Sequence, residues 1–380
     1  MPESKQAPHA LTMIPGPIEF DDAVLGAMAH PSVAHTAQPF VDTFQRSLQL
    51  LRQLFFSTAK DAQPFVIAGS GTLGWDISAA NFLEAGDDVL VLNTGFFSHS
   101  WAEALRTYGI NVTEIKSEVG TVVPSEKVEE ALKSKQFKAI TTTHVDTSTA
   151  VVTDIKALSA LVHNVSPDTL VFVDGVCSVG VEPLKFDEWG LDYVLTASQK
   201  AIGVPAGLHI SIASGRALNA LKSRKSPVPA FFANLNRWLP IMQAYESGKP
   251  AYFATPPVQT VWALKTSLEQ YATSEASLEK RWADHAAASD KIKNTLEKLG
   301  IKIIPLSRDV AAHGLTAAYL PEGWTLPELT GPLLKDNFVI AGGILQPIAP
   351  RYFRIGHMGA SIPYGHVDKL AAELDAVFKK

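Results

Sequence analysis

Four short runs of apolar and small residues recur along this chain: DVLVLN (Asp88–Asn93), AITTTHV (Ala139–Val145), LVFVDGV (Leu170–Val176) and YVLTAS (Tyr193–Ser198). A strand with one wet face alternates apolar and polar residues. These runs do not, so they read as strands buried on both faces. Between them lie HSWAEALRTYG (His99–Gly109), SEKVEEALKS (Ser125–Ser134) and IKALSALVHN (Ile155–Asn164), each with apolar residues at helical spacing. Ser125 reads as a capped helix start, with Val128 and Leu132 on one face. Strand and helix in alternation imply an α/β fold with a mainly parallel sheet and helices on both sides. The run LHISIAS (Leu208–Ser214) reads as an antiparallel addition.

The texture changes near Pro257. One long helical pattern, Val261–Gly300, leads into a mixed region where GIKIIPL (Gly300–Leu306) and YFRIG (Tyr352–Gly356) read as strands. The expected plan is an N-terminal segment (1–20) lying along the surface between two domains, a large domain (21–256), and the long helix with a smaller α+β domain (257–380). A chain of 380 residues buries a large core without staples, and its single cysteine, Cys177, excludes an intrachain disulfide. That fits a reducing compartment. A formal net charge of −5 with no basic stripe argues against a nucleic-acid or anionic-membrane partner. No apolar run reaches the ~20 residues of a spanning helix. The N-terminus lacks signal-peptide and presequence patterns, and VFKK is not the peroxisomal tripeptide. Cytoplasm is the expected location, with peroxisome and mitochondrion left open.

Three features carry chemistry. AGSGTLGW (Ala68–Trp75) follows a strand-like run and opens a helical pattern. Its bare backbone N–H groups and the hydroxyls of Ser70 and Thr72 suit a phosphate. No Gly-Lys-Ser/Thr follows, so it is not a Walker loop. It fits the dinucleotide fingerprint formally, but lacks the acid that a ribose needs about 20 residues on. Taken alone it is equally a tight strand-to-helix turn. Asp174 ends a buried strand, where a carboxylate is costly unless paired. Alone it reads as a structural ion-pair partner or cap. Lys200 follows the next strand in SQKAIGVPAGL, among small neighbours. A desolvated lysine is a good imine-forming nucleophile, whereas the bland reading is a loop lysine on the surface. One crossover and one strand separate Asp174 from Lys200, which puts both at the same carboxyl edge, where open α/β sheets bind ligands. Anion cradle, acid and lysine together match the phosphate, ring nitrogen and aldehyde of pyridoxal phosphate.

In order and spacing, PGP, GSGT, HVDTST, VDGVCS, SQKAIGVPAGL, YFATPP and FRIGHMG resemble the alanine–glyoxylate and serine–pyruvate aminotransferases. These are class V pyridoxal-phosphate enzymes of the aspartate-aminotransferase fold type. The resemblance runs from Pro15 to about Gly359 and is strongest to the fungal-type enzymes. It implies a mostly parallel seven-stranded sheet flanked by helices. It implies that Lys200 forms the imine and moves the proton, and that Asp174 keeps the ring nitrogen protonated. It implies phosphate-side roles for Ser70, Gly71, Thr72 and Gln199, and a ring contact for Thr147. Phe97 takes the place of a stacked aromatic that is commonly tryptophan. Gly16, in the PGP motif, and Arg354 fall to the substrate, Arg354 gripping its carboxylate through a bidentate pair. Tyr252 and Thr255 would reach the partner's phosphate in a homodimer with shared sites. No metal is implied.

Cys177 lies just after Asp174 and reads as a buried filler, which leaves a desulfurase without its nucleophile. The resulting expectation is ping-pong transfer of an amino group from alanine to glyoxylate, with serine as the alternative donor. A nicotinamide dehydrogenase and a catalytically dead binding relative are the rivals from other classes.

Overall fold

The computed structural model describes residues 4–379. Its centre is a seven-stranded sheet: β1 (Gln63–Gly69), β2 (Asp88–Asn93), β3 (Asn111–Lys116), β4 (Ala139–Thr143), β5 (Leu170–Asp174), β6 (Tyr193–Ala197) and β7 (Gly207–Ala213). The spatial order is β1-β7-β6-β5-β4-β2-β3. Only β7 runs antiparallel to its neighbours, as the LHISIAS run led us to expect. β4, β5 and β6 are buried along their whole length, which is why their sequences do not alternate. Helices Gly71–Phe82, Phe96–Thr107, Ser125–Ser134 and Ile155–Val165 link the strands and cover the sheet.

A second sheet has three antiparallel strands, β8 (Leu315–Tyr319), β9 (Ala341–Gly342) and β10 (Tyr352–Gly356), in the order β8-β10-β9. It packs with helices Glu275–Lys298, Leu326–Lys335 and His366–Phe378 around Ile292, Leu296, Leu329, Phe353 and Leu370. A separate apolar cluster fills the seam between the sheets, joining Val145, Cys177 and Ala201 to Leu315, Tyr352 and Met358.

Four local expectations change. The long helical pattern is two helices, Val258–Tyr271 and Glu275–Lys298. Ser274 breaks it with extended backbone and caps the second helix through Ser277 N–H. Gly300–Leu306 is not a strand. It makes a single bridge, Ile303 to Ala318, and Leu306 is 71% exposed. Ser125 is the first helical residue rather than the cap, and Pro124 precedes it as N-cap. The N-terminal segment is less superficial than its polarity suggests. Leu11–Thr12 pairs in parallel with Phe338–Val339, Met13 is fully buried, and Ile18 N–H bonds the carbonyl of Gln199 at 3.2 Å.

Candidate active site

The parallel strands deliver their carboxyl ends to one edge. There a cavity of about 140 Å³ is lined by Ser70, Gly71, Thr72, Phe97, Thr147, Asp174, Gln199 and Lys200, with Trp75 and Cys177 beside them. A larger cavity, about 610 Å³, lies behind the lysine loop against Tyr271, Arg281 and Ile362. It contains neither Lys200 nor Asp174, so the convergent chemistry belongs to the smaller one.

At the end of β1 the backbone turns directly into helix Gly71–Phe82. Ser70 is the N-cap by position, yet its hydroxyl makes no capping bond. Leu73 N–H bonds the Ser70 carbonyl at 3.1 Å, which leaves the Gly71 and Thr72 N–H groups and the helix's positive end for an anion. The glycines make close packing possible. A Cβ on Gly71 would lie 2.5 Å from Val176 Cγ2, and one on Gly74 would lie 2.8 Å from Leu195 Cβ. The helix therefore sits tight on the strand ends, with its N-terminus at the cavity floor.

Asp174 ends β5 and is 3% exposed. Trp75 Nε1 donates to Oδ2 at 2.9 Å, and Val176 N–H donates to Oδ1 at 2.9 Å. Burial nevertheless pushes its pKa up to about 6, Asp146 adds to the rise, and Lys200 opposes it. A carboxylate in this setting gains from a cationic partner.

Lys200 sits in the tight link between β6 and β7, which Ser198 pins by donating to Pro205 O at 2.8 Å and accepting from Leu208 N–H at 3.2 Å. The Lys200 ammonium donates to Pro15 O at 2.6 Å. Gly16, at φ +127°, presses on the lysine stem, and a Cβ there would come within 2.4 Å of Lys200 Cδ. The PGP motif thus forms a wall against the lysine. Cys177 is buried, with its thiol 3.6 Å from Thr147 Oγ1, and burial pushes the thiol pKa up, which suits filler rather than nucleophile.

Arg354 reaches the seam from β10. Its Nε donates to Gly342 O at 2.8 Å, and among the described residues it forms no ion pair. Burial lowers its pKa, while Tyr352, Cys177 and Asp146 oppose the shift. Arg354 does not itself line the 140 Å³ cavity. Tyr252 (62% exposed) and Thr255 do not line their own chain's cavity.

Three residues of the site went unnoticed in the sequence. Trp75 was visible as the last letter of the glycine motif, but nothing there signalled its bond to Asp174. Asp146, fully buried, accepts from Ser98 N–H at 3.1 Å and from Ser148 Oγ at 2.6 Å, so it anchors the helix that carries Phe97. Its position inside HVDTST was the available signal. Arg281 donates Nε to Gly180 O at 2.9 Å and another nitrogen to Ala201 O, bracing the loops after Asp174 and Lys200 together. Only the tertiary fold brings it there.

Two buried oxygens on this edge, Gln199 Oε1 and Thr143 Oγ1, have no partner among the described residues. Orphaned acceptors, an uncapped helix end, a raised carboxyl and a primary amine suit a polar ligand with an anionic end, a basic ring nitrogen and an electrophilic carbon.

Comparison with known proteins agrees with this geometry. The family described as aminotransferase class-V matches residues 25–317. Alanine–glyoxylate aminotransferase 1 of Saccharomyces cerevisiae is 47% identical over 359 residues, covering 92% of each chain. A serine–glyoxylate aminotransferase of Methylorubrum extorquens is 30% identical, covering 91% of this chain and 85% of its own. The crystal structure of an alanine–glyoxylate aminotransferase from Nostoc superposes with a TM-score of 0.90 at 26% identity, covering 99% of this chain and 97% of the other. With lysine, acid and anion cradle gathered at one sheet edge and a match over most of its length, the chain belongs to the class-V aminotransferases.

Proposed function

We propose that the protein is a pyridoxal-phosphate-dependent transaminase that moves an amino group from alanine to glyoxylate, giving pyruvate and glycine. The observation that carries this is the convergence of Lys200, Asp174 and the uncapped helix end on one cavity, in a chain 47% identical to an enzyme named for that reaction. Bound there, the cofactor supplies an electron sink that stabilises negative charge at the substrate Cα.

The chain's own residues have the following roles in this reading. The helix Gly71–Phe82 N-terminus, with Ser70, Thr72 and Gln199, holds the phosphate. Asp174 pairs with the ring nitrogen and keeps its proton in place, with Trp75 and Val176 N–H fixing the carboxylate's orientation. Phe97 and Thr147 bound the ring. Lys200 would hold the cofactor through its primary amine and, once that amine is free, would carry the proton from the substrate Cα as a general base. Gly16 and Pro15 limit where its amine travels. Arg354 takes the substrate carboxylate through its free fork. The exposure of Tyr252 and Thr255 supports a homodimer in which they serve the partner's cavity. The reading divides the chain into a segment 1–20, a cofactor-binding domain 21–256 and a substrate-side region 257–380.

Serine as donor is the second reading, favoured by the 30% identical serine–glyoxylate relative. The test is a visible absorbance scan followed by donor competition. A band abolished by borohydride, with kcat/KM for alanine above that for serine, supports the first reading. A higher kcat/KM for serine replaces alanine as the donor. Absence of the band overturns both.

A further inference from the structure

The hydroxyl of Tyr352 does more than fill the seam. Tyr352 opens β10 two residues before Arg354, so both side chains leave the strand on one face. It is fully buried. Its phenol oxygen uses all of its ordinary hydrogen-bonding capacity: it donates to Ser148 O at 2.8 Å and accepts from Ile344 N–H and Leu345 N–H, each at 3.0 Å. The two accepted bonds come from the loop after β9, and the donated one goes to the large-sheet side of the seam, next to Thr147.

The same loop is held a second time. Gly342 O accepts from Arg354 Nε at 2.8 Å, and Gly343 N–H donates to Tyr352 O at 3.0 Å. There is no slack in the wrapping. A Cβ on Gly343 would lie 2.3 Å from Tyr352 Cε1 and 2.5 Å from Ala349 O. On the other side, Ser148 Oγ accepts from Phe96 N–H at 2.9 Å and donates to Asp146, so the bond from Tyr352 ends on the framework that sets the helix bearing Phe97. One hydroxyl therefore ties the loop that fixes the arginine to the wall that bounds the ring.

We infer that Tyr352 is a positioning residue: its hydroxyl locks the Gly342–Leu345 loop and with it the direction of the Arg354 guanidinium relative to the cavity. This rests on the reading of Arg354 as the substrate-carboxylate group. Without the hydroxyl, two amides and a carbonyl lose their partner and the loop loosens, while Lys200, Asp174 and the phosphate cradle keep all of their bonds. Misaiming of a bidentate fork weakens carboxylate binding more than the chemistry that follows it.

The test compares Tyr352→Phe, Gly343→Ala and Arg354→Lys with the native enzyme. Tyr352→Phe is expected to raise KM for both the amino acid and the oxo acid by about 10-fold, with kcat within about threefold and the cofactor absorbance unchanged. In cofactor-free protein, hydrogen exchange at the Ile344 and Leu345 amides should quicken while that of β5 and β6 stays the same. Gly343→Ala, which pushes the loop off an intact tyrosine, should give the same KM pattern and decides the matter if Tyr352→Phe does not fold. Unchanged KM in the variant that decides, or a loss that follows cofactor affinity instead, overturns the inference. If Arg354→Lys raises KM and the loop variants do not, the arginine reading stands and the tyrosine role falls. If Arg354→Lys leaves KM unchanged, the arginine reading fails and takes this role with it.

Discussion

The two walls of the proposed site are built in different ways: the lysine–acid wall lines the cavity, whereas the arginine wall lies beyond its lining. The lysine–acid wall hangs from adjacent parallel strands whose register pairs Asp174 with Leu195, so its residues are placed by hydrogen-bonded ladders within one sheet. The arginine wall arrives on an antiparallel strand of the second sheet and meets the first only across the seam of Val145, Cys177, Leu315 and Tyr352. The first wall is as rigid as the sheet. The second is as precise as the seam that holds it, and for that reason it relies on side-chain pins such as Tyr352, Arg281 and the Glu182–His313 clasp at 2.7 Å. Damage to the first should destroy chemistry, and damage to the second should weaken substrate binding.

The largest effect tests the first wall. In the proposed reading Lys200→Ala removes both the imine-forming amine and the proton carrier, so turnover should fall by at least about 10⁴-fold. Borohydride labelling of the native enzyme should mark the peptide containing Lys200, and a label on another lysine breaks the assignment.

Asp174→Asn keeps the shape but not the charge. Turnover should drop by about 10²- to 10³-fold with cofactor still partly bound, and near-normal transamination would show the acid to be structural. The same variant has a stability signature. Asp174's folded pKa is raised from 3.8 to about 6, so its protonated form is preferred in the folded state. Its contribution is therefore fully present below pH 3.8 and is lost as pH rises through about 6. In cofactor-free protein, stability of the Asn variant relative to native should climb by about 2 kcal/mol between pH 4 and pH 7. Denaturant titrations at the two pH values read this, and a flat difference would mean the carboxyl is ionised without penalty.

On the second wall, Arg354→Lys retains charge but loses the planar fork. We expect KM for alanine and glyoxylate to rise together by about 10- to 100-fold, with an unchanged cofactor spectrum. A change in one substrate only, or loss of cofactor, would dissolve the contrast between the walls.

The smallest effect concerns a third contribution, from a neighbouring subunit. Lys200→Ala subunits mixed with Tyr252→Phe/Thr255→Ala subunits yield heterodimers with one intact site when the site is shared. Random mixing of equal pools should restore activity to about a quarter of native. Verified exchange with activity at the parental average would confine each site to one chain.

Much of the first wall was legible because strand direction alone orders it. An unbroken apolar run ending in Asp174, and the next ending just before Lys200, can only be parallel neighbours whose ends share an edge. The glycines around Ser70 announced a close turn, and the sheet confirms the close packing through the contacts that Gly71 and Gly74 allow. Less was legible after Pro257. Gly300–Leu306 has a strand's composition but makes only one bridge to the open edge of β8, at Ile303–Ala318, before Leu306 N–H turns away to the carbonyl of Gly120. The break at Ser274 was masked by a helical pattern continuous enough to read through it.

By itself, then, the sequence determined most of the strands, their mainly parallel direction and the shared edge of Asp174 and Lys200, because these follow from periodicity and from the handedness of crossovers, which are local rules; the half-exposed edge strand β3 carried no such signal. Tertiary structure alone decided that Pro15 O would meet the Lys200 ammonium, that Trp75 would bond Asp174, that Arg281 would brace two loops, and that Tyr352 would pin the arginine's loop to Ser148. Each of those contacts joins segments far apart in the chain. Their partners are chosen by tertiary packing, and no spacing along the sequence encodes that choice.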